Sequence, residues 1–124
     1  MRLFTLWGAG LVMLVVGGLH LFNPQMMMNT PAIELSTVNH LHIIRAAYGG
    51  AYLGIACLFL LGALGRLDRR FALMSVLILF TGFALGRLFS MAVDGPPVDL
   101  YFRVLGVELF FAVCAFLALK KDKT

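Results

Sequence analysis

The chain has 124 residues, 61% hydrophobic and 13% charged, with a formal net charge of +4. A soluble domain is about 45–50% apolar and roughly 25% charged, so this composition leaves no wetted surface around a core and excludes a soluble single-domain enzyme. At about 20 apolar residues per bilayer crossing, the length holds four helical spans and no sizeable extramembrane domain.

Continuous apolar runs occupy Leu3–Phe22, His42–Leu64, Phe71–Val93 and Leu100–Leu119. They predict one domain, 1–124, an all-α integral membrane four-helix bundle with spans over 3–22, 41–64, 71–93 and 100–119. A membrane β-barrel would instead show alternating segments of about ten residues. The first run is too long for the apolar stretch of a signal peptide and no small-x-small site follows it, so it reads as a retained span. His20 lies near its end. In the loop that follows, Asn23 to Asn39, Thr30-Pro31 with Glu34 behind it predicts a short interfacial or re-entrant helix that starts at Pro31.

On the second span His42, Arg45, Tyr48 and Tyr52 fall at i, i+3, i+6 and i+10, one polar stripe on an otherwise apolar helix. On the third, Arg87, Ser90 and Asp94 fall at i, i+3 and i+7. Asp94-Gly95-Pro96-Pro97 then reads as a turn, with Asp99 placed to cap the fourth span. Within that span Tyr101 and Glu108 share a face, and Arg103 lies off it. Arg45 with Cys57, and Arg103 with Cys114, recur at similar spacing in spans two and four, which suggests a duplicated helical hairpin.

Seven of the ten Lys and Arg residues lie at one set of span ends: Arg2, Arg66, Arg69, Arg70, Lys120, Lys121 and Lys123. The positive-inside rule puts that side, and both termini, in the cytoplasm. These residues form no stripe of the kind that reads nucleic acid.

The remaining three, Arg45, Arg87 and Arg103, fall inside spans, where an arginine costs about 2.5–3.5 kcal/mol at the bilayer centre and somewhat less near its edge. Glu108 lies at the depth of Arg87 and is the natural partner of Arg87 or Arg45. Together with His20, His42, Tyr48 and Tyr52 these groups converge on one region near the extracytoplasmic side. Three arginines against one glutamate there, with the positive dipole ends of spans two and four, favour an anionic or hydrogen-bond-accepting head. Two readings stand side by side. Arg87, Ser90, Asp94 and Glu108 form a polar network that fixes helix register, or the whole set lines a ligand pocket for a lipid, isoprenoid or quinone.

Gly49-Gly50-x-x-x-Gly54 and Gly82-x-x-x-Gly86 are small-residue faces. Packing within the bundle is their expected use, with a partner membrane protein or a second copy of the chain the lesser one. Three adjacent methionines, Met26-Met27-Met28, cannot all face one ion, so a copper site with His20, His40 and His42 is disfavoured, as is a bis-histidine haem between His20 and His42. No cofactor, metal site or catalytic constellation is expected. Cys57 and Cys114 make no Cys-x-x-Cys. Span one lacks the acid that small multidrug exporters need, and the strong Lys/Arg bias is unlike that of dual-topology fluoride channels.

Arg45-x-x-Tyr48-Gly49-Gly50, Gly86-Arg87-x-x-Ser90-x-x-x-Asp94-Gly95-x-Pro97 and Glu108 together make the chain resemble a bacterial family of small four-span membrane proteins known as a domain of unknown function, and, loosely, the DoxX-like membrane proteins. The resemblance covers nearly the whole chain. It implies a four-helix bundle in the bacterial inner membrane and no established activity. Family members often carry an acid just before Arg-x-x-Tyr-Gly-Gly, where this chain has His42, Ile43 and Ile44.

Overall fold

In hydrocarbon every backbone N–H and C=O must be satisfied within its own segment, so each long apolar run folds as a helix. A computed structural model describes residues 1–121; Lys123, one of the basic C-terminal residues, lies outside the described residues. Helix α1 spans Arg2–Phe22 and α2 is a short helix, Pro24–Asn29. Three long helices follow: α3, Val38–Ala63; α4, Arg69–Asp94; and α5, Asp99–Lys120. The four helices α1, α3, α4 and α5 are long and apolar enough to cross a membrane. No strand occurs among the described residues.

The helix starts are set by polar side chains. Thr37 Oγ1 accepts from the His40 amide at 3.2 Å and so opens α3 four residues before the apolar run begins at His42. Asp68 Oδ1 accepts from the Phe71 amide at 2.7 Å and opens α4. Asp99 does not act as the expected cap. Val98 holds that position without a side-chain bond, and Asp99 instead lies in the first turn of α5, where a negative charge suits the helix dipole.

The short helix of the first loop is also displaced from its expected place. It starts at Pro24 and ends before Pro31. The Ala32 amide donates to the Asn29 carbonyl (3.0 Å) and the Ile33 amide to the Met28 carbonyl (2.9 Å), while Ala32 adopts φ 57°. This is the Schellman pattern, with Ala32 at the left-handed position usually taken by glycine. Pro24, which follows Asn23 and takes the first helical position, starts the helix in place of Pro31. Gln25 holds the returning chain through the Ile33 carbonyl (3.2 Å) and the Leu35 amide (3.0 Å).

Inside α3 the residues Arg45–Gly50 form a π turn, in which the Ala51 amide bonds back to Ala46. Such widened turns are uncommon and concentrate at functional sites.

Helix α1 packs chiefly on α3, and α4 on α5. The interior is built from Leu6, Ala9, Phe59, Ala72, Leu73, Val76 and Ala115, all fully buried, while Val15, Ile78, Phe89 and Phe116 point outward. Large apolar side chains exposed on the outside of the bundle, as well as within it, are what a bundle whose solvent is lipid shows. At one end of the bundle Met1, Arg2, Arg69 and Lys121 border one hollow. The core lies toward that end. Beyond Ala84 on α4, and before Glu108 on α5, no residue is buried. The opposite end, closed by residues 23–37 and 95–98, is therefore loosely filled along α4 and α5, while Gly17, His20, Met28 and Gly49 are buried on the α1 and α3 side.

Candidate functional site

Two groups of polar and aromatic side chains occupy that opposite end. The first lies along the α1–α3 seam. His20 is buried, and its Nδ1 donates to the Val16 carbonyl at 2.8 Å. Tyr48 stacks on the His20 ring (centroids 5.5 Å apart, 24°), and Tyr52 meets both rings edge-on at 5.9 and 5.7 Å. The Arg45 Nε donates to the Leu21 carbonyl at 3.0 Å, near the end of α1. His42 is exposed and outside this group. The stripe drawn from His42 to Tyr52 assumes α-helical spacing throughout, and the π turn between these residues breaks it.

The seam is tight because of two glycines. A Cβ on Gly17 would lie 2.9 Å from the Leu53 amide nitrogen and 3.0 Å from Tyr52 Cβ; one on Gly49 would lie 3.0 Å from Leu21 Cα. Gly49 therefore serves packing inside the bundle, as its motif suggests. Gly54 does not, since nothing lies within 4 Å of its Cβ position.

The second group joins α4 to α5. The Arg87 Nε donates to both carboxylate oxygens of Glu108 at 2.9 Å. Glu108 is buried, its side chain 6% exposed, whereas that of Arg87 is 31% exposed. The Arg87 guanidinium carbon stands 5.3 Å from the Tyr101 ring centroid, a cation–π contact. Tyr101 was visible in the sequence as the residue sharing a face with Glu108, yet it carried no role there. Ser90 Oγ donates to Asp94 Oδ2 at 3.1 Å. Arg45 does not reach this pair, and Arg103 is exposed with no ion pair or hydrogen bond among the described residues. The three arginines thus separate into three environments and form no common cationic pocket.

Arg87 borders two spaces. Outward lies an open groove of about 440 Å³ lined by Gly82, Phe83, Gly86, Arg87, Ser90, Met91, Gly95, Pro97 and Tyr101. Inward lies a cavity of about 80 Å³ between all four long helices, where Tyr52, Arg87 and Glu108 meet the apolar side chains of Val12, Met13, Val16, Phe80, Phe83, Val104 and Val107. Phe83 belongs to both spaces and touches Tyr52 at 6.0 Å, so the ring pair links the two groups.

The groove corrects one expectation. Nothing stands within 4 Å of the Cβ positions of Gly82 or Gly86, so that glycine face does not pack within the bundle. It forms the floor of the groove instead. The groove's size lies within the 300–1,000 Å³ range of small-molecule sites, and its lining is mostly apolar with a few polar groups, Arg87, Ser90 and Tyr101.

Neither a curated protein nor a solved structure matches the chain. A family model does: the domain of unknown function DUF4345 matches residues 1–119, and the chain belongs to that family.

Proposed function

We propose that the protein binds an amphiphilic small molecule, a lipid, isoprenoid or quinone, in the Arg87 groove, with the tail over Gly82 and Gly86 and the polar head at Arg87. In this reading the chain sits in a bacterial inner membrane with both termini cytoplasmic, and the groove opens in the outer leaflet. The observation that carries it is the way Arg87 is held. Glu108 engages only Nε, and the two Nη groups make no hydrogen bond among the described residues although Arg87 lines an open groove. Donors left bare against hydrocarbon cost several kcal/mol each, about what a polar head at this position would relieve. Because Arg87 is fixed by Glu108 from behind and by Tyr101 beneath, the donors are oriented before a ligand arrives.

A second reading makes the chain an accessory subunit whose partner helix covers the same groove. The open Gly82–Gly86 floor favours it, since small residues let helices approach closely. Extraction in mild detergent followed by native mass spectrometry separates the two. Ligand binding predicts a retained small-molecule mass that Arg87→Lys, which keeps a cation beside Glu108 but removes the spare Nη donors, strongly reduces. A retained protein supports the subunit reading, and bare chain in every preparation rejects both.

A further inference from the structure

Resting on the Arg87-groove reading, the charges around the groove narrow the class of head group. Arginines outnumber glutamate three to one within the spans, which favours an anion, but this excess does not exist at the groove. Arg45 is engaged by the Leu21 carbonyl and Arg103 does not line the groove. Arg87, which does, faces Glu108 at 2.9 Å, and the hydroxyl of Ser90 on the same wall points to Asp94 at 3.1 Å. Asp99 and Arg103, on either side of Tyr101 in the chain, carry opposite charges and neither lines the groove. At the groove one cation, Arg87, is thus accompanied by two carboxylates, the buried Glu108 behind it and the exposed Asp94 beyond Ser90.

We infer that the groove selects an amphiphile with an uncharged carbonyl head and discriminates against phosphate and carboxylate heads. A carbonyl oxygen takes up the free Nη donors of Arg87 without meeting a like charge. The Ser90 hydroxyl, whose hydrogen is already donated in a hydrogen bond to Asp94, offers lone pairs to a hydroxyl or N–H beside that carbonyl. An anionic head would gain the same donors but stand within several ångströms of Glu108 and Asp94, in surroundings of low dielectric where such repulsion is weakly screened. That is worth roughly tenfold or more in affinity.

The test uses the full chain in phosphatidylcholine nanodiscs and two photoreactive probes of equal chain length, a long-chain methyl ketone and an alkyl phosphate, each with a diazirine at the same carbon. Crosslinks are mapped by mass spectrometry. The ketone should label the segment 82–91 at least about tenfold more than the phosphate at equal mole fraction. Glu108→Gln should reverse that preference, and Asp94→Asn, at an exposed position where folding is not at risk, should narrow it. Gly86→Leu, which fills the groove, should abolish labelling by both. Equal or stronger labelling by the phosphate in the unmodified chain overturns the choice of head while leaving the groove occupied. Absence of labelling in this segment by either probe, or labelling that survives Gly86→Leu, overturns the binding site itself.

Discussion

Two glycine pairs at the same end of the bundle have opposite surroundings. Gly17 and Gly49 lie where α1 and α3 touch backbone to backbone, and a methyl group on either would press on main-chain or Cβ atoms. Gly82 and Gly86, on α4, face open space. In the first pair the missing side chain is what brings the helices together, and it lets His20, Tyr48 and Tyr52 close over one another. In the second it leaves a floor beside Arg87. Small-residue spacing thus marks a place where something approaches the helix, and only the fold shows whether that place is filled by the chain itself.

The same substitution should separate the pairs by sign. Gly17→Ala and Gly49→Ala insert a carbon at 2.9–3.1 Å from atoms of α3 or α1 that cannot rotate away. Overpacking of this kind costs about 1–3 kcal/mol, against which better helix propensity returns up to about 1, so each should lower stability by about 1–2 kcal/mol. Detergent-titrated unfolding measures it. A neutral outcome at both sites would mean that the α1–α3 seam is looser than its contacts indicate.

At Gly82 and Gly86 the overpacking cost is absent. Alanine there should stabilise the helix by up to about 1 kcal/mol in the same assay. Destabilisation would indicate that another helix, from a partner or a second copy, already occupies the groove in the membrane. That result would move the function toward the subunit reading.

Much of this architecture was legible in the sequence, and the reason is the solvent. Lipid forces long uninterrupted helices, so the four apolar runs located the four long helices to within a few residues. The cost of burying charge made Arg87 and Glu108, equal in depth, the natural pair, and they meet at 2.9 Å. The site was less legible because its remaining members depend on helix faces. A π turn at Arg45–Gly50 left His42 outside the aromatic group, Arg45 turned to the end of α1, and whether Gly82 faces a helix or a groove is decided by how α4 leans on α5.

The smallest expected effect concerns a glycine that is missing. Ala32 closes α2 at φ 57°, where a side chain is strained by roughly 1 kcal/mol and glycine is not. Ala32→Gly removes that strain but adds about 0.5–1 kcal/mol of backbone freedom to be lost on ordering, so the net gain should be at most about 0.5 kcal/mol. It should appear as an approximately twofold slower hydrogen exchange of the Ile33 amide, which is bonded to Met28, with the global unfolding midpoint unchanged. The backbone thus does without glycine at the one non-glycine position with positive φ among the described residues, whereas α4 carries two glycines at ordinary helical positions with nothing pressing on them. Conformation cannot account for Gly82 and Gly86, nor can packing within this chain, which leaves the space they open beside Arg87 as the physical consequence of having them there.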